Sequence, residues 1–544
     1  MKRALLIKNG LIADGTGDAG FKGDVLIEGD KITDVAYGGI AGDIDAEIID
    51  AAGKIVSPGF IDCHAHSDAY LVIEPDAPSK ITQGITTEIN GQCGGSIAPR
   101  YGEARLSSDW ASILGEKLSW RSLKEYREVL ASVRPALNTV QFVGHNTLRS
   151  SVVGYAGRAA DCGEIKEMSR LLERELDDGG YGFSTGLIYQ PGKYSTPDEV
   201  LALVRVAAKK GAYYSTHMRS EGDGILESID EVVELARLTG IKAQISHLKT
   251  DGRKNWSKID RVLEKIEKAT EEGLLLGSDR YPFFAAGTDL DVVLPDWAQE
   301  GAAKAECARL ADPAARKRIV DELNASDRDW SEVMVGGTWS DETKAASGRR
   351  ISELGGSPGE IVCSILEKDL CRTGAFFFTM SEDNLSRILS KNWILPGSDA
   401  SLRAPWGPLG SDYPHPRAYG TMPEFYRRLR SLGFSLEDAV KRMTSAPAER
   451  FGLKSRGYIR NGAFADIVIW DEKEFACRAS YSSPHMFSSG VECVVVNGSV
   501  PYRAGKFTGD RGGCFLEISR FASGVSPVPV RTGLQNRPAA KKMI

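Results

Sequence analysis

The chain has 544 residues with 68 basic and 74 acidic side chains, a formal charge of −6. That mild acidity excludes the basic footprint of a nucleic-acid or anionic-membrane binder, and no apolar run approaches the ~20 residues that span a bilayer. The apolar stretch near the start is too short for a signal peptide, and nine scattered cysteines without a CxxC pair fit a reducing compartment, so a soluble, cytoplasmic protein is expected.

Residues 1–57 read as short strands broken by turns, with alternating apolar residues in KRALLIKNG and DVLIEGDKITDV. From 58 to 451 the texture changes to strand-like runs alternating with amphipathic helical stretches such as PDEVLALVRVAAKK. The runs are IVSPGFIDCHAH, ITTEIN, TVQFVGH, YGFSTG, AYYSTH, IKAQISH, LLLGSDRYPF and WILPGSDA, which predicts a (β/α)8 TIM barrel. A helix-rich stretch at about 283–345 predicts an inserted helical subdomain. Strand texture returns over 452–526, and the two β-rich ends are expected to form one small β-sandwich domain. Residues 527–544 read as a C-terminal tail.

The chemistry gathers at the ends of the runs. His64, His66, Cys93, His217, His247 and Asp399 each close a strand candidate, and in a parallel barrel those ends converge on one face. His64 and His66 are two apart, so both point into the barrel mouth, whereas Cys63 points away. Asp62 and Asp68 share the histidines' parity and are expected to orient imidazoles. A lone strand histidine is usually a packed residue, but an HxH pair with two more strand-end histidines and a cysteine predicts a metal site. Imidazole and thiolate together suit zinc.

These residues resemble the N-acyl-D-amino-acid deacylase (D-aminoacylase) family of the amidohydrolase superfamily. The resemblance rests on PGFIDCHAHSD, ITQGITTEINGQCGGSIAP, FVGHNTLR, GFSTGLIYQPG, THMRSEG, ISHLK, DRYPF, HPRAYGT and GAFADIVIWD, spread over nearly the whole chain. It implies zinc-dependent hydrolysis of N-acyl-D-amino acids to a carboxylate and a free D-amino acid. It also implies that Cys93 takes the bridging place of a carboxylated lysine. Cys93, His217 and His247 would hold one zinc tightly, with His64, His66, Cys93 and Asp399 forming a second, weaker site. A bound cation lowers the pKa of its water from 15.7 to about 7, and Asp399 would carry the proton to the leaving nitrogen. Asp279 is the competing carboxylate.

The substrate is expected to be a small anion. Lys249, Tyr281, Arg417 and Thr288 look like its carboxylate-binding set, and Tyr189 and His145 are further contacts. The loop ASLRAPWGPLGSDYP after Asp399 departs from the family pattern and adjoins the pocket. Two other readings stand beside this one. One is a cyclic-amide hydrolase or deaminase on the same barrel; the other is a non-catalytic scaffold.

Overall fold

The computed structural model describes residues 4–42, 44–104, 113–115 and 118–518, so the expected tail at 527–544 lies outside the described residues. Eight strands build the barrel: β1 (Phe60–Asp62), β2 (Ile85–Asn90), β3 (Asn138–Gly144), β4 (Gly182–Gly186), β5 (Tyr213–His217), β6 (Ala243–Ile245), β7 (Leu276–Arg280) and β8 (Ile394–Pro396). They pair in parallel and in chain order. The ring closes where Cys63 N donates to Pro396 O at 2.9 Å and Asp399 N donates to His64 O at 2.8 Å.

Every residue of β2, β3, β4, β5 and β7 is buried. Strands covered on both faces need no alternation between buried and exposed residues, and here they also bury polar side chains such as Glu88, Asn90, Ser184 and Asp279. The crossover helices carry their own start and stop signals. Pro197–Lys209 begins behind Thr196, whose hydroxyl accepts from Glu199 N, with proline in the first turn. Ile225–Thr239 ends on Gly240 at φ 68°, a left-handed cap that glycine adopts without strain. Val200, Leu203, Val204, Ile229 and Val232 on these helices share one core with Phe183, Tyr214 and Ile245 of the barrel. Burying each such side chain is worth roughly 1.5–3 kcal/mol.

The two ends of the chain meet in one nine-stranded sheet. Its seam is the antiparallel pairing of Ile55–Pro58 with Ile467–Trp470, where Val56 faces Ile469. Leu5, Ile7, Val25 and Ile27 from one end share a core with Ile467, Cys493 and Val495 from the other.

The insert between β7 and β8 is longer than the 283–345 the sequence pattern suggests. It has its own core, running from Leu290 to Phe377. That core packs helices Ala302–Ala311, Pro313–Ala325 and Pro358–Lys368 on a three-stranded antiparallel sheet, Ala286–Asp289, Gly374–Phe377 and Val333–Val335. Residues 358–377 repeat the helix-then-strand texture of the barrel itself, so periodicity alone assigns them to the barrel. No helix among the described residues is long and apolar enough to cross a membrane.

Candidate metal centre

The parallel strands deliver six side chains to one end of the barrel. His217 is the last residue of β5; His64, His66, Cys93, His247 and Asp399 lie just past β1, β2, β6 and β8. Three of them sit in the left-handed region, Cys93 at φ 52°, His247 at 35° and Asp399 at 49°. For a side-chain-bearing residue this costs on the order of 1–3 kcal/mol each, strain that clusters where function fixes geometry. Two glycines make room for the arrangement. A Cβ on Gly186 would lie 2.0 Å from Cys93 O, and one on Gly397 would lie 2.7 Å from the His64 Cβ.

Cys93 Sγ lies 3.3 Å from the Nε2 atoms of both His64 and His247. Asp399 Oδ1 is 3.4 Å from His64 Nε2 and 3.0 Å from His66 Nε2. Ligand atoms of His64, Cys93, His247 and Asp399 all lie within 4.8 Å of one another, as do those of His217, Glu221 and His247. His247 belongs to both groups, and its ring meets that of His217 edge-on at 4.5 Å. Cys63, by contrast, packs with Ile61, Val140 and Leu395 in an apolar cluster.

The electrostatics favour anionic ligands. Burial opposes ionisation of Cys93, but His64 and His247 outweigh it and hold the thiol well below its ordinary value. Burial likewise opposes the Asp399 carboxylate, and Arg417 and His247 overcome that. Without a metal the imidazoles pair with these anions: burial works against charging His66, yet Asp399 and Cys93 push it up to about 9. A divalent cation held by the same residues would take over that role in place of the protons.

His217 Nδ1 is buried without a hydrogen bond and Nε2 has only the Glu221 carboxylate, 3.4 Å away, an arrangement that costs free energy unless something else binds the ring. An orphaned imidazole beside a thiolate, two further imidazoles and a carboxylate is a donor set that fits zinc.

Residues 47–502 match the model of the amidohydrolase family. The chain belongs to that family. It is 32% identical over 502 residues to the N-acyl-D-glutamate deacylase of Alcaligenes xylosoxydans xylosoxydans, covering 91% of this chain and 93% of that protein. The D-aminoacylase of the same organism is 32% identical over 518 residues, with 94% and 97% covered. Among solved structures, the N-acyl-D-glutamate deacylase of Bordetella bronchiseptica, complexed with zinc and a phosphonate mimic of the tetrahedral intermediate, aligns with a TM-score of 0.79 at 31% identity. That alignment covers 95% of this chain and 100% of the other. Within the amidohydrolases the chain therefore stands among the D-aminoacylases.

The carboxylates behind the imidazoles of this amidohydrolase are not those the strand parity suggests. Asp279 Oδ1 lies 3.1 Å from His64 Nδ1 and accepts His247 N at 2.9 Å. Glu221 Oε1 lies 3.0 Å from His247 Nδ1, and its Oε2 is 3.4 Å from His217 Nε2. Asp62 instead accepts the backbone N–H groups of His64 and Ser398 and pairs with Lys80 at 2.9 Å. Asp68 accepts from Gln141 Nε2 at 2.7 Å. Glu221 was findable: it follows His217 by four residues in THMRSEG, but a carboxylate in a loop carries no periodic signal. Lys80 is equally silent in sequence, because a buried lysine on a short helix looks like any surface lysine.

A cavity of about 520 Å3 opens over the cluster, lined by His66, Cys93, Asp399, Arg417, Tyr189 and Thr288. Arg417 Nη1 contacts Asp399 Oδ2 at 2.7 Å, and His415 Nδ1 accepts Arg417 N at 3.0 Å, fixing the start of helix Arg417–Ser431. Thr288 Oγ1 donates to Tyr189 Oη at 3.5 Å. Tyr281 is fully buried beneath the Arg417 guanidinium, 4.7 Å from its ring. Burial disfavours its phenolate, but Lys249, Arg280 and Arg417 outweigh that and bring the hydroxyl below the usual phenol value. Lys249 is buried as well, with Nζ 2.5 Å from Glu221 Oε1 and 3.0 Å from His247 Nδ1.

His145 stands apart. It opens helix His145–Val152, fully buried, with Nε2 2.9 Å from Glu199 Oε1, which also takes Arg149 Nε at 3.0 Å. A histidine that ends a strand by starting a helix faces the helical layer, so it does not line the cavity. The long loop after Asp399 does: Ser401, Arg403, Ser411, Asp412 and Tyr413 form one wall, while Trp406 is 44% exposed and donates to Glu74 at 3.0 Å.

Proposed function

We propose that this amidohydrolase uses zinc to hydrolyse the linear amide bond of N-acyl-D-amino acids, releasing a carboxylate and a free D-amino acid. The single observation that carries the reading is a thiolate, imidazole and carboxylate cluster opening onto a cavity that also holds the Arg417 guanidinium. The named activities of the relatives agree with it.

His64, His66, Cys93, His217, His247 and Asp399 are the residues that would hold the metal. A bound zinc ion supplies Lewis acidity, which acidifies water and polarises an amide carbonyl. The remaining work belongs to side chains. Asp399 accepts a proton at its carboxylate as water adds to the carbonyl and returns it to the nitrogen, which must leave as an amine. Arg417 offers a planar fork to the substrate's α-carboxylate, with the Tyr281 hydroxyl and Lys249 behind it. Both cations are paired, Lys249 with Glu221 and Arg417 with Asp399, but it is Arg417 that lines the cavity and so meets the substrate. A cyclic amide without a free carboxylate has no use for that group, which favours linear substrates.

The test is amine release from N-acetyl-D-amino acids by metal-depleted protein before and after zinc is restored. Turnover confined to the zinc-loaded form is expected. Protein carrying its full zinc yet hydrolysing none of them would refute the proposal.

A further inference from the structure

Three arginines line the cavity, Arg372, Arg403 and Arg417. Two of them already face carboxylates: Arg417 contacts Asp399 at 2.7 Å, and Arg403 Nε lies 2.6 Å from Asp412 Oδ2. Arg372 has no such partner among the described residues. The nearest acid in sequence is already occupied, because Asp369 Oδ1 accepts Ser340 N at 2.9 Å and Thr343 Oγ1 at 2.6 Å, while Oδ2 accepts Thr373 Oγ1 at 2.6 Å.

The arginine is nonetheless held in place. Its Nε donates to Asp369 O at 3.2 Å, its guanidinium lies 4.9 Å from the Trp339 ring, and Trp339 Nε1 donates to Arg372 O at 3.1 Å. It leads directly into the strand Gly374–Phe377, the middle strand of the insert sheet, which pairs on both sides. With Nε tied back, the two terminal nitrogens form the free edge of the guanidinium. That edge is the one that matches both oxygens of a carboxylate.

We propose that Arg372 receives a second carboxylate of the substrate, so that this enzyme prefers N-acyl-D-amino acids carrying two anionic groups. Arg417 takes the α-carboxylate. The second group is either an acidic side chain on the amino acid or the free end of a dicarboxylic acyl group. Arg372 is a specificity residue supplied by the insert, and it acts through substrate binding. The inference rests on the proposed hydrolysis and adds the substrate class to it.

The experiment measures kcat/KM of the zinc-loaded enzyme on N-acetyl-D-glutamate, N-acetyl-D-glutamine, N-succinyl-D-leucine and N-acetyl-D-leucine. Arg372→Gln and Arg372→Lys are measured beside the parent. A charge-assisted pair predicts a preference of about 10- to 100-fold for a dicarboxylate over its neutral counterpart. Arg372→Gln should abolish that ratio mainly through KM, and Arg372→Lys should restore part of it. Preference for the glutamate substrate identifies the side chain as the source, and preference for the succinyl substrate identifies the acyl group. Turnover of the leucine substrate with equal losses on all four, or a ratio that ignores Arg372, would overturn this inference alone. Failure to hydrolyse any of the four would overturn it together with the proposed activity.

Discussion

Arg417 Nη1 lies 2.7 Å from Asp399 Oδ2, so the cation that would anchor the substrate already holds the carboxylate that would move the proton. Arg417 is only 6% exposed, and a buried pair of this kind fixes the geometry of both members. Asp399→Asn keeps the shape but removes the proton acceptor. It is expected to retain bound zinc through Cys93, His217 and His247 while kcat falls by about 10²- to 10⁴-fold. Zinc content and turnover measured on one preparation check this, and substantial remaining activity would move the proton shuttle elsewhere.

Glu221 joins His217, His247 and Lys249 in one buried contact set. Carboxylates that orient metal-binding imidazoles typically contribute 10- to 100-fold in metal affinity. Glu221→Gln should weaken zinc binding by about that factor, read by competition with a chromogenic chelator. An unchanged affinity would reduce Glu221 to a partner of Lys249.

His64, His66, Cys93, His217, His247 and Asp399 could be read because each closes a strand, and parallel strands put their ends on one face. Glu221 and Asp279 took the orienting role expected of Asp62 and Asp68. Asp68 and Glu221 lie in the loops after β1 and β5, where strand parity lapses. Asp279 reaches His64 from β7 and Asp62 is held by Lys80, contacts between separate strands and helices that parity within one strand does not report. His145 fits the strand-end pattern and still misses the cavity, since the chain turns into a helix at that residue. The insert was underestimated for a related reason: residues 358–377 have the same local texture as a barrel repeat. Only pairing of Gly374–Phe377 with Ala286–Asp289 and Val333–Val335 tells them apart, and pairing across ninety residues is invisible to periodicity.

Lys80 Nζ is fully buried between Asp62 Oδ2 at 2.9 Å and Glu88 Oε1 at 2.8 Å, and also donates to Ser398 Oγ and Ala400 O, each at 2.9 Å. It ties β1, β2 and the loop after β8 together at the barrel seam. Lys80→Met leaves two buried carboxylates without a counter-charge, and breaking such a pair costs about 3–5 kcal/mol. A clear drop in apparent Tm is expected. A Tm unchanged from the parent would mean that the seam does not depend on this ammonium.

The insert carries a pH-dependent contact of its own. Burial, then the neighbouring charge of Glu306, pushes Asp291 up to about 8, while burial pushes Glu306 up to about 7; hydrogen bonds from Asp291 and the Cys371 thiol, and then the Arg309 charge, offset this in part, and Asp289 adds to it. Acids with raised pKa values keep protons in the folded state that the unfolded chain releases above about pH 4. Folding therefore takes up protons between about 4 and 8, and this pair's contribution to stability falls as pH rises through that window. Glu306→Gln removes the repulsion, so its apparent Tm relative to the parent should climb from pH 5 to pH 9. A difference that is flat or falls with pH would contradict the assignment.

Handedness is the part of the proposed activity that the metal cluster alone does not encode. The decisive measurement is the initial rate of the zinc-loaded protein on matched N-acetyl-D- and N-acetyl-L-amino acids. Hydrolysis of the D-series with little or no cleavage of the L-series is predicted. Cleavage confined to the L-series would contradict the central claim.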